Sequence, residues 1–282
     1  VLLAAWLTAG LARAGLSPAE AARQWQEARG FTALPALEED ASPLTFQYAL
    51  IERLTAHLGR PVGYKAALTN PQAQQMFGVT GPVLGILLEK MLLPDNAELP
   101  LSYAARPAIE ADLLVRVSDP NINEARTDLD LLAGLDAIIP FLELPDLDLP
   151  PGAAGQADIL TALNTGARAG IQGRALPVRA DPETLERLGR FTVRLVNEQG
   201  NLLGQGRCAD LMGHPIQVVR WIRDTLAARG ERLRAGDLLS LGTLTPIVPL
   251  RNGGRITAHY EGLSPDDGVS VSCILHEAAT TE

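Results

Sequence analysis

Three acids and one lysine carry the chemistry that this sequence offers. Glu110 and Asp112 stand two apart in the apolar run PAIEADLLVRV, residues 107–117. In a strand, side chains two apart point the same way. Ile109, Ala111, Leu113, Val115 and Val117 then form one apolar face, and Glu110 and Asp112 share the other with Leu114. Adjacent carboxylates repel, and burying either unpaired costs several kcal/mol. Glu143 is the natural third member, the only ionisable group between Asp136 and Asp146. Three carboxylates from two strands suit a hard divalent cation, Mg²⁺ or Mn²⁺. The lack of thiolate or clustered histidine ligands argues against zinc. The acids alone also fit a strand edge paired with Arg106 and Arg116.

Lysine occurs only at 65 and 90 in an arginine-rich chain. Lys65 can neutralise the carboxylate of a 2-oxo acid or donate a proton beside a developing enolate. Lys90, beside Glu89 before an apolar run, reads as surface. His214, in Gly213-His214-Pro215, reads as a helix-capping residue. No nucleophile-elbow motif suggests a Ser-His-Asp arrangement.

The elements that must position these groups follow from the pattern. Ser17 before Pro18 opens a helix, and a second runs through SPLTFQYALIERLTAHLG to Gly59. PVGYKAAL is a strand carrying Lys65, NPQAQQMFG a short capped helix, and VTGPVLG a turn-rich loop. Helices are expected near Asp128–Ala133 and over 157–163, with Asn164 following. GRFTVRLVNEQGNLLGQGRC is a hairpin about a glycine turn, and GHPIQVVRWIRDTLAARG a helix with a glycine stop. DLLSLG, PIVPL, GRITAHYEGL and GVSVSCILHE are strands. Helices first and strands later suggest an α+β fold.

The 282 residues, 46% hydrophobic and 20% charged, can bury a sizeable core. A net charge of -9 and a pI near 5.0 argue against a nucleic-acid binder. Cys208 and Cys273 offer no metal or disulfide framework and read as core residues. Residues 1–14, VLLAAWLTAGLARA, are apolar and end Ala-Arg-Ala, like a secretory signal lacking its charged start. They are too short to span a bilayer. This divides the chain into a signal remnant over 1–14 and one domain over 15–282, exported or periplasmic if the signal reading holds and cytoplasmic otherwise.

In order, GYKAALTNPQAQQMFGV, RPAIEADLLVRV, IIPFLEL, GHP and GDLLSLG resemble the 2-oxopent-4-enoate hydratases of the fumarylacetoacetate hydrolase superfamily, to which the 4-oxalocrotonate decarboxylases are close. The resemblance implies a rolled, twisted mixed β-sheet core with surrounding helices. It implies Mg²⁺ or Mn²⁺ on Glu110, Asp112 and Glu143, with Lys65 catalytic and substrate-binding, and Asn164 and Thr245 toward the substrate. The implied activity is a metal-dependent lyase on a 2-oxo acid. A hydratase adding water to a 2-hydroxydienoate comes first; a decarboxylase, an acylpyruvate hydrolase or a non-catalytic binder are the alternatives. A homo-oligomer in aromatic catabolism is implied too. Two segments depart from the pattern. VTGPVLG has Val83 where an acid often sits, and ALNTG has Leu163 and Gly166 in place of an acid and a serine.

Overall fold

The computed structural model describes residues 15–37, 42–150, 152–153, 156–265 and 268–277. The expected signal remnant, 1–14, lies outside them. The chain opens with α1 (Pro18–Gln26) and α2 (Pro43–Leu58), each begun by a serine whose hydroxyl accepts a backbone N–H of the first turn, with proline next. β1 (Pro61–Ala67), α3 (Pro71–Phe77), β2 (Val83–Leu88), β3 (Leu92–Pro94), β4 (Ala97–Pro100) and β5 (Ala108–Val117) follow. The middle holds α4 (Asp128–Ala133), β6 (Leu135–Leu144), α5 (Ala157–Ala162), β7 (Ala169–Gln172), β8 (Leu176–Pro177) and α6 (Pro182–Leu188). The last third holds β9 (Thr192–Asn197), β10 (Leu202–Arg207), α7 (Pro215–Ala228), β11 (Leu238–Ser240), β12 (Val248–Pro249), β13 (Gly254–Glu261) and β14 (Val269–His276).

These strands make two sheets. The larger runs β2-β1-β11-β5-β6-β7-β3, with β12 beside β5 and β8 beside β6. It is mixed, since β1 pairs with β11 and β3 with β7 in parallel while the other pairings are antiparallel. The smaller sheet runs β10-β9-β13-β14-β4. Ile109, Leu113 and Val115 of β5 pack in one core with Leu195 of β9, Ala258 of β13 and Val271 of β14. This is the apolar face that the alternation in residues 107–117 predicts. A second core joins α1, α2 and α5 to β2 through Ala21, Phe46, Leu50, Ile86 and Ile159.

The fold is α+β, as expected, but its order is not helices first and strands later. Strands run throughout, and β3, β4, β7 and β8 are too short, and three of them too proline-bounded, to show an alternating signal. The segment VTGPVLG is a loop only to Pro82. Val83 begins β2, every residue of which is buried.

Candidate active site

β5 and β6 are paired so that Glu110 faces Glu143 directly and Asp112 faces Phe141. The three acids thus share one face of two neighbouring strands, and all are buried. Lys65 reaches them because β1 lies parallel to β11, with Lys65 level with Ser240, and β11 lies against β5. Its Nζ donates to Glu143 Oε1, with the Thr165 carbonyl 3.5 Å away. Both side chains of this ion pair are almost inaccessible, at 3% and 5%. Asp112 accepts from Ser240 Oγ and from the Leu113 backbone N–H. Glu110 Oε2 is buried with no hydrogen-bond partner.

One lysine therefore serves three buried carboxyls. Burial first, and Glu143 second, push the Glu110 and Asp112 carboxyls well above the ordinary carboxylate range. Arg116 and Arg106 do not relieve them: Arg116 pairs with Asp136 and Arg106 with Asp148. Among the described residues, no three His, Cys, Asp or Glu side chains already form a closed cation cage. Glu143 is turned to Lys65 and Asp112 to Ser240. The donor set nevertheless fits a hard divalent cation, because it is all oxygen, excess in negative charge, and includes the unpartnered Glu110 Oε2.

Lys65 and Glu110 lie on the wall of a cleft. Thr165, Gly166 and Thr243 border the same space. Asn164 and Thr245, expected toward the substrate, are not on that wall. The Asn164 amide is spent inside the protein. Its Oδ1 accepts from Ile86 N at 2.7 Å and Gln47 Nε2 at 3.1 Å, and its Nδ2 donates to Ile86 O at 3.0 Å. Thr245 Oγ1 accepts from Ala111 N at 3.0 Å.

What Asn164 does is hold the segment Asn164–Gly166 against β2. Asn164, Thr165 and Gly166 all have left-handed backbones, with φ of 53°, 55° and 69°. This is an uncommon state for a β-branched threonine, and costs on the order of 1–3 kcal/mol. Gly85 makes the approach possible, since a Cβ there would lie 2.6 Å from Thr165 Oγ1 and 2.8 Å from Lys65 Cγ. From the other side, Trp25 Nε1 donates to Ala167 O, and the Arg168 guanidinium lies 4.0 Å over the Trp25 ring. The motif NTG marks a left-handed turn in the sequence. That Thr165 and Thr243, rather than Asn164 and Thr245, would line the cleft had no local signal.

His214 caps α7, its Nδ1 accepting from Ile216 N. Cys208 and Cys273 are free, buried core residues. No helix among the described residues is long and apolar enough to cross a membrane.

No protein-family model matches the chain. Over 204 residues it is 27% identical to the 2-keto-4-pentenoate hydratase of Paraburkholderia phymatum, covering 72% of this chain and 76% of that protein. Its fold is similar to 4-oxalocrotonate decarboxylase from Pseudomonas putida G7, solved with magnesium and adipate. The TM-score is 0.70, with 27% identity over 83% of this chain and 84% of the other. Along most of its length the chain is thus similar to 2-keto-4-pentenoate hydratases and 4-oxalocrotonate decarboxylases. The fold is also similar to fumarylpyruvate hydrolase from Pseudomonas aeruginosa, solved with Mn²⁺ and pyruvate. There the TM-score is 0.55, with 15% identity over 78% of this chain and 90% of the other.

Proposed function

We propose that the protein is a divalent-metal-dependent hydro-lyase that adds water to a 2-hydroxydienoate, giving a 4-hydroxy-2-oxo acid. The observation that carries this reading is the burial of Glu110, Asp112 and Glu143 on one face of two paired strands, with Lys65 bonded to Glu143, where Lys65 and Glu110 reach the wall of a mostly apolar cleft. The relatives named above, a hydratase and a decarboxylase solved with magnesium, support it. Glu110, Asp112 and Glu143 would hold Mg²⁺ or Mn²⁺. Bound there, the ion supplies positive charge that draws electron density from the conjugated chain toward the 2-oxygen.

The chain's own residues do the rest. Lys65 has three donors, of which one is committed to Glu143. Its Nζ also lies 3.5 Å from the Thr165 carbonyl, and with Lys65 on the cleft wall the ammonium would meet the substrate carboxylate and carry a proton to the chain. Net addition places hydroxyl on the fourth carbon and protons on the third and fifth, while the 2-hydroxyl gives one up to become the oxo group. The apolar walls keep bulk water from the polarised chain, which strengthens each charge interaction inside.

Decarboxylation at the same site is the second reading, favoured by the likeness to the decarboxylase structure. The test is the ultraviolet absorbance of a 2-hydroxydienoate with Mn²⁺ or with EDTA, followed by product analysis. Loss of absorbance only with Mn²⁺, yielding a 4-hydroxy-2-oxo acid, is expected. Release of carbon dioxide instead moves the reading to decarboxylase, and absorbance that never changes overturns both.

A further inference from the structure

The cleft has two unlike ends. Beyond Lys65 and Glu110 its wall becomes hydrocarbon: Leu68, Val83 and Leu160 form a small cluster of their own, joined by Ala73 and Phe77 of α3 and by Leu149. Among the described residues on the wall, Lys65 is the one basic side chain. Glu110 and Asp146 are the acidic side chains there, and the Asp146 carboxylate already accepts from the backbone N–H groups of Ala105, Arg106 and Asp148.

The arginines flanking the wall segments are engaged elsewhere. Arg106 turns to Asp148 at 3.3 Å. Arg168 lies on Trp25 and donates to the Tyr103 carbonyl at 2.6 Å. Outside the described residues, the sequence holds a single basic side chain, Arg13. A carboxylate at the far end of a substrate would therefore meet apolar side chains and no counter-charge, a heavily penalised burial.

We propose that the α3 end of the cleft selects 2-oxo acids whose tail ends in uncharged hydrocarbon, and turns away dicarboxylates. This rests on the 2-oxo acid reading above and narrows it. It also separates the chain from the decarboxylase to which its fold is similar, which was solved with a dicarboxylate, adipate. Every buried methylene of the tail adds about fourfold in affinity. α3 itself has no buried residue, and Ala73 and Phe77 are only half-covered. Its cleft-facing side touches only the small cluster of Leu68, Val83 and Leu160, and it is the place where tail preference is set.

Calorimetry on the Mn²⁺-loaded protein compares pyruvate, 2-oxohexanoate and 2-oxohexanedioate, the last two differing only in a terminal methyl or carboxylate. The expected result is that 2-oxohexanoate binds at least tenfold more tightly than either of the others. In Phe77→Arg, binding of the dioate should improve at least tenfold relative to 2-oxohexanoate. If the dioate binds wild type as well as 2-oxohexanoate does, the tail assignment falls and the 2-oxo acid site stands. If Phe77→Arg, folded by circular dichroism, leaves the dioate unaffected, α3 does not line the tail site. Absence of heat with all three ligands overturns the proposal together with the reading it rests on.

Discussion

At the Arg116 end of the β5–β6 ladder, one arginine meets one aspartate in water. At the Glu110 end, three carboxyls share one lysine in the interior. The Arg116–Asp136 pair makes two parallel hydrogen bonds, of 2.8 and 3.0 Å, with side chains 43% and 45% exposed. Lys65–Glu143 is almost wholly desolvated, and Glu110 and Asp112 crowd it without cations of their own. The balanced end is solvated and weakly stabilising. The unbalanced end destabilises the metal-free protein, and its cost is tolerable only if something of opposite charge comes to it. Same strands and same bond type thus give opposite energetics, decided by water.

The hardest way to break the contrast is Lys65→Met. It leaves three buried carboxyls with no cation, and cutting a buried pair in this way costs about 3–5 kcal/mol. Denaturant melts with EDTA should show that loss, and saturating Mn²⁺ should recover most of it. A variant as stable as wild type in EDTA would mean that Lys65 is not what holds the acids together.

Next in size is the response to pH and metal. Folding raises the Glu110 and Asp112 carboxyls above their unfolded values. Between those limits the folded state holds more protons than the unfolded state. Their contribution is therefore present in acid and lost as pH rises from the ordinary carboxylate range through the elevated one. Thermal melts in EDTA should fall over that window. Mn²⁺ at about a hundred times its dissociation constant should add about 2.7 kcal/mol, and more per unit concentration at higher pH, since it displaces protons. Melts indifferent to Mn²⁺ at every pH would remove the metal site.

A smaller change sharpens the point. Glu110→Gln removes one crowded charge and lets an amide replace the unpartnered Oε2. The metal-free protein should melt about 2–4 °C higher, the equivalent of about 1 kcal/mol, with the Mn²⁺ shift reduced or abolished. A lower melting point in EDTA would show that Glu110 is stabilising as it stands. Smallest of all is Arg116→Gln, where loss of the solvated pair should cost well under about 1 kcal/mol and leave the Mn²⁺ response intact. An effect as large as that of Lys65→Met would erase the distinction between the two ends.

Much of this was legible in the residues. Period-two alternation separates the acids from the apolar face of β5, because a strand permits only two sides. Lys65 stands out by scarcity in a chain that otherwise prefers arginine. The side-chain partners were not legible. Asn164 meets Ile86 across 78 residues and Thr245 meets Ala111 across 134. Which atom an amide or hydroxyl finds at that separation is set by how the sheets close, not by its neighbours in sequence. The apolar end of the cleft is equally hidden, assembled from Leu68, Val83, Leu149, Leu160 and α3, each of which alone is an ordinary core residue or loop.

The Asn164 amide has a consequence for how the chain survives its own synthesis. β2 is the outermost strand of the larger sheet, and its sequence, VLGILL, is uncharged, proline-free and rich in branched side chains. Such an edge is a template for pairing with another chain. Here two side-chain amides stand in for the missing strand: Asn164 takes both backbone groups of Ile86, and Gln47 donates to the Leu84 carbonyl at 2.9 Å. Gln47 leaves the ribosome before β2, but Asn164 follows it by some 80 residues. During that interval the strand is half guarded in any variant, and Asn164→Ala would leave it half guarded in the finished fold as well.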